Sequence, residues 1–125
     1  MDALYALLRE IGTEAEKNAK RDLSGSPQSL KALLYNMAMP VILNFRTEEE
    51  SYHFIFQKGG SVSLHCGVHA HPDVNVSAER LELIRILQNR DKEGFTRAER
   101  TGRLKISEQS FKGKLAVMKL RELFL

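Results

Sequence analysis

The 125-residue sequence predicts a single α+β domain, and three observations carry that reading. Apolar residues recur every three or four positions near both ends, as on the buried stripe of a helix. Between Val41 and Val76 the period drops to two, as on strands with one buried face. The last third, Thr101 to Leu125, combines both: the alternating run Leu104-Lys105-Ile106-Ser107 feeds a stretch of helical period.

Residues Asp2 to about Arg21 place Leu4, Leu7, Leu8, Ile11, Ala15 and Ala19 on one stripe, which gives an amphipathic helix whose second half, Glu14 to Asp22, is polar enough to lie on the surface or to fray. Ser24-Gly25-Ser26-Pro27 breaks it. Ser26 is placed as the N-cap and Pro27 as the first residue of a second helix with the stripe Leu30, Leu33, Leu34, Met37. Pro40 stops that helix, because it has no amide hydrogen and disfavours helical geometry in the residue before it.

Val41 to Arg46 then reads as a strand, Thr47 to Ser51 as an acidic turn and Tyr52 to Gln57 as the hairpin partner. Lys58-Gly59-Gly60 is a turn, and Ser61 to Gly67 is a third strand completing a meander. Asp73 to Val76 makes a fourth short strand, with Ser77 expected to cap a helix from Ala78 to about Asn89. Arg90 to Arg100 is dense in charge around one aromatic, Phe95, and reads as a short helix or ordered loop. The final strand and closing helix complete the order.

The closing helix carries two apolar sides. At 100° per residue, Ala116, Val117, Leu120, Leu123 and Phe124 fall on one side and Phe111, Leu115 and Met118 on the other. A helix lying on a sheet needs only one such stripe, so the second calls for its own cover. Packing against a helix or a second subunit is one answer, and an apolar ligand is the other.

Composition narrows the function classes. Hydrophobic residues make up 42% and charged residues 28%, the balance of an ordinary globular chain long enough to bury its own core. Lys and Arg exceed Asp and Glu by 19 to 16. That mild bias is spread along the chain, without the basic blocks or interleaved aromatics of a nucleic-acid face, and would attract anionic head groups only weakly, for transient contact with a membrane surface at most. The single cysteine, Cys66, excludes an internal disulfide. With no spanning run and no leader signal, the expected compartment is the cytoplasm.

Three segments resemble the sterol carrier protein 2 (SCP-2) family of small lipid-binding domains. They are Phe56-Gln57-Lys58-Gly59-Gly60-Ser61-Val62, Pro72-Asp73-Val74-Asn75-Val76-Ser77, and Gly102-Arg103-Leu104-Lys105-Ile106 followed by Leu115-Ala116-Val117-Met118-Lys119-Leu120. The resemblance runs from Val41 to Leu125 and leaves residues 1–25 as an added N-terminal helix and linker. It implies a five-stranded, mostly antiparallel sheet covered by helices, with an apolar tunnel between them for a lipid tail. It further implies that the closing helix lines the tunnel, which makes Phe111, Leu115 and Met118 ligand-facing candidates, with Ile84 and Leu87 from the preceding helix and Phe95 as a lid residue. Each could equally be plain core.

This chain departs from the family pattern at Thr96-Arg97-Ala98-Glu99-Arg100 and at Glu108. A mouth holding Arg97, Arg100 and Arg103 suits a carboxylate, a phosphate or the head group of an acyl thioester better than a neutral sterol. The same arginines could instead pair with Glu93 and Glu99 on a solvated face.

A separate constellation is His65-Cys66-Gly67-Val68-His69-Ala70-His71. On an unbroken strand, His65, His69 and His71 would share one face, as ligands of a transition metal do. The approach of Pro72, where the chain is expected to turn, and the lack of an evident carboxylate second shell argue against it, and no metal or other cofactor is expected. No nucleophile elbow, catalytic carboxylate pair, phosphate loop or dinucleotide fingerprint is present. Three functions therefore stand: a non-enzymatic carrier of a lipid such as an acyl chain, isoprenoid or sterol-like molecule; a module that dimerises through the second helix stripe; and a metal-dependent enzyme built on the histidines.

Overall fold

The computed structural model describes residues 2–24, 39–114 and 116–117. The helix expected from Pro27, with Leu30, Leu33, Leu34 and Met37, lies outside these residues, as do Leu115, Met118 and the end of the closing helix.

The described chain runs α1 (Asp2–Ser24), β1 (Val41–Arg46), β2 (Ser51–Phe56), a 3-10 turn (Lys58–Gly60), β3 (Val62–Cys66), β4 (Val74–Ala78), α2 (Arg80–Asn89), α3 (Lys92–Arg100) and β5 (Leu104–Glu108). Residues 111–114 and 116–117 are again helical. The strands form one sheet in the order β3-β2-β1-β4-β5. Every neighbouring pair is antiparallel except β1 and β4, which run parallel. The fold is α+β, as the sequence predicts.

Alternation gives the sheet two unlike faces. Register brings Leu43 opposite Phe54 and Val74, and Phe45 opposite Tyr52 and Val76; Ile106 lies opposite Val76 across the next pair. This apolar face meets Leu4, Leu8 and Ile11 of α1, Leu83, Ile86 and Leu87 of α2, and Phe95 and Ala98 of α3 in one core. Fully burying a large aliphatic or aromatic side chain contributes about 1.5–3 kcal/mol. The opposite face presents Asn44, Arg46, His53, His65, Asn75, Ser77, Lys105 and Ser107 from the other half of each alternation.

Of the two alternatives for the second half of α1, the structure has it on the surface, helical to Ser24 and tied down there: Glu16 accepts the Val62 amide at 2.8 Å, and Gly60 leaves room for Ala19 and the Lys20 backbone where a Cβ would approach within 3.1 Å. An added Cβ at Gly12 would meet the Phe54 ring at 2.7 Å, so this part of the helix also lies close on the sheet. One expectation changes: Ser77 does not cap a helix. Ser77 and Ala78 extend β4, because β5 pairs with them through Lys105 and Leu104, and α2 starts two residues later with Glu79 as its N-cap. Strand pairing with a distant segment overrides the local capping signal.

Candidate functional site

The closing segment is fixed to the sheet through Asp73, which is 6% exposed. Its carboxylate accepts the Ile42 amide at 2.8 Å and the Ser110 hydroxyl at 2.6 Å, with Lys112 Nζ 3.8 Å away. Its backbone carbonyl accepts the Gln109 amide at 2.8 Å, and its own amide donates to Ile42 at 2.8 Å. A Cβ at Gly113 would collide with the Asp73 carbonyl, so glycine allows the closing helix to start against β4. The Pro-Asp-Val motif thus supplies the anchor from which the helix leaves the sheet.

From that anchor the described apolar residues of the closing helix face different surroundings. Ala116 and Val117 pack against the core, whereas Phe111 is 86% exposed. Of the other candidates, Leu87 and Phe95 are buried at 2% and Ile84 is half-buried against the same cluster. Leu115 and Met118, on the stripe of Phe111 by sequence, lie outside the described residues.

Phe95 is held by the turn that precedes it. Asp91 caps α3 by accepting the Gly94 amide at 2.9 Å, and Arg85 donates to the same carboxylate at 3.2 Å. The Gly94 amide bond, opposed by desolvation and helped by Arg85, holds the Asp91 carboxyl below its ordinary range. Arg97 and Arg100 are exposed on α3. Arg103 is separate from them and lies beyond the helix, 3.5 Å from Glu82.

On the opposite sheet face the histidines gather differently from the strand reading. Gly67, at φ 86°, ends the extended run and turns the chain back. His53 then becomes the centre: its ring stacks on His65 of the neighbouring strand at 4.9 Å and meets His69 edge-on at 5.4 Å. Its Nδ1 donates to the Gly67 carbonyl at 2.8 Å. His71 donates its amide to His69 Nδ1 at 3.0 Å, and its ring is 6.5 Å from that of His69. Asn44, 2% exposed, holds the loop by bonding both the amide and the carbonyl of His69. Among the described residues no three His, Cys, Asp or Glu side chains are grouped to hold a metal ion. The part of His53 was not visible in the sequence because it depends on the β2-β3 register.

Comparison with known proteins places the fold. No family model matches the chain. No curated protein matches it either. Solved structures do. The ubiquinone synthesis protein UbiJ-SCP2 is 18% identical over 90% of this chain and 96% of its own, with a TM-score of 0.49. Sterol carrier protein 2 from Yarrowia lipolytica, in its apo form, is 13% identical over 86% of this chain and 88% of its own, with a TM-score of 0.47. An inverting sec-alkylsulfatase, Pisa1 from Pseudomonas sp., reaches a TM-score of 0.51 at 15% identity over 74% of this chain, which corresponds to 14% of the enzyme. At these identities the likeness is one of fold. The chain is an α+β domain, and it shares its fold with that segment of the alkylsulfatase.

Proposed function

We propose that the protein is a non-enzymatic carrier that holds the apolar part of a lipid, such as an acyl chain, isoprenoid or sterol-like molecule, along the closing helix. The observation that carries this reading is the exposure of Phe111 on the side of that helix turned away from Ala116 and Val117. A large aromatic at 86% exposure, continuous in helical spacing with Leu115 and Met118, is a stripe that gains by being covered. The sequence motifs that resemble the SCP-2 family point to a lipid as the cover, with Ile84, Leu87 and Phe95 as further lining. Each methylene removed from water contributes about 0.8 kcal/mol, so about eight of them offset the cost of immobilising a ligand without any specific polar contact.

The same exposed stripe also favours a second reading, in which two copies of the chain cover it for each other. Titration with a fluorescent acyl probe, followed by sizing at several protein concentrations, separates the two. The carrier reading expects saturable, displaceable probe binding by a monomer, and it fails if the probe does not bind and a dimer persists on dilution. The cytoplasm is the compartment in which such a carrier is proposed to act. No helix among the described residues is long and apolar enough to cross a membrane.

A further inference from the structure

Away from the closing helix, the outer sheet face opens into a surface pocket of about 630 Å³ between the ends of β1, β4 and β5. Sheet register builds its floor. Arg46 pairs with Ser77 across the parallel β1-β4 ladder, and Ser77 pairs with Lys105 across the antiparallel β4-β5 ladder. Residues paired in register point to the same face, so two cations flank one hydroxyl in a row across three strands. With strands about 4.8 Å apart, the backbones carrying the two cations stand about 10 Å from each other, a gap that one tetrahedral anion with two long side chains can bridge.

Electrostatics favours such an occupant. All three floor residues are exposed. The structure gives neither the Arg46 guanidinium nor the Lys105 ammonium a carboxylate within ion-pair distance among the described residues. Arg103 adds a third cation at the wall, leaning on Glu82 at 3.5 Å and on Thr101 at 3.2 Å. Two carboxylates stand on the rim, Glu79 and Glu48, the latter accepting the Arg80 amide at 2.8 Å, so the three cations outnumber the opposing charges by one.

We propose that this pocket is an oxyanion site for a phosphate-type group, carried either on a free phosphorylated compound or on a lipid head group. Cations approaching from both sides of a serine suit an anion with oxygens in several directions and more than one charge better than a planar carboxylate. The volume exceeds that of a single phosphate and leaves room for the group that bears it. The site is separate from the lipid site proposed along the closing helix, since its floor lies on the polar face of the sheet.

The test pairs two probes with two variants. Inorganic pyrophosphate is titrated at low ionic strength while the Ser77 and Lys105 amides are followed by NMR, and phosphatidylcholine vesicles with and without phosphatidylglycerol are used for flotation. The Arg46→Gln/Lys105→Gln protein is compared with Arg9→Gln/Lys17→Gln, which removes the same charge from exposed positions on α1. Loss of about ten-fold or more in affinity in the first variant alone is the expected result. If the loss is seen with pyrophosphate, the natural source is a free phosphoanion; if only with anionic vesicles, it is a head group. No binding of either probe, or equal loss in both variants, overturns the site.

Discussion

Asp73 and Ile42 bond each other twice: the Asp73 amide donates to the Ile42 carbonyl at 2.8 Å, and the Ile42 amide donates to the Asp73 carboxylate at 2.8 Å. Through this pair the start of the closing helix is tied to the centre of the sheet, because the same carboxylate accepts from Ser110. Replacing Asp73 by Ala leaves the Ile42 amide without its acceptor and is expected to cost about 3 kcal/mol; Asp73→Asn, which keeps one acceptor oxygen, is expected to cost about 1 kcal/mol. Urea unfolding measures both.

Gly113 meets that same residue by close approach. Gly113→Ala drives a methyl group into the Asp73 carbonyl, a backbone atom that cannot step aside as a flexible side chain would. The expected cost is about 1–3 kcal/mol. Lipid-probe binding should weaken with it if the helix is displaced. Unfolding and probe titration on one sample read both effects.

Asn44 and His69 give a local test of the histidine loop. Asn44→Ala removes the acceptor at 2.9 Å and the donor at 3.1 Å that hold the His69 peptide, at an expected cost of about 2 kcal/mol. Hydrogen exchange at the His69 amide should then accelerate, while Leu43 and Phe45 amides in the same strand change by no more than the global loss of stability.

The Glu50–Arg80 pair sets an acid limit. Burial acts to raise the Glu50 carboxyl, but hydrogen bonds from Tyr52 at 2.6 Å and Arg80 at 2.7 Å, with the Arg80 charge, hold it below its ordinary value of 4.5. The unfolded chain therefore takes up this proton before the folded one does. The contribution is fully present above that ordinary value and is lost as pH falls through the lowered one. Glu50→Gln is expected to lower stability at neutral pH by about 1–2 kcal/mol and to flatten the acid limb of the stability profile. Thermal unfolding at a series of pH values checks the sign.

Much of this architecture was legible in the chain. Val41-Ile42-Leu43-Asn44-Phe45-Arg46 and Tyr52 to Phe56 alternate strongly enough that strand and face follow from the period alone. What escaped were features set by distant partners. Ser77 carries a cap signal, yet it pairs with Lys105 28 positions later in the chain. Its place beside Arg46 depends on the parallel β1-β4 ladder, which no local pattern announces; sequence proximity likewise groups Arg103 with Arg97 and Arg100, whereas the fold puts it in the pocket with Arg46 and Lys105. The histidine cluster shows the same limit: three members are neighbours in sequence, and the central one, His53, arrives from the adjoining strand. The two apolar sides of the closing helix, by contrast, are local, and the separation of Phe111 from Ala116 and Val117 follows from period alone.

Native mass spectrometry of gently purified protein, with organic extraction and identification of whatever is released, tests the carrier reading most directly. The expected result is a lipid bound one to one by a monomer and lost when Leu115 and Met118 are replaced by polar residues that leave the circular dichroism spectrum unchanged. An apo mass that persists after incubation with acyl, isoprenoid and sterol panels, particularly as a dimer, would contradict it.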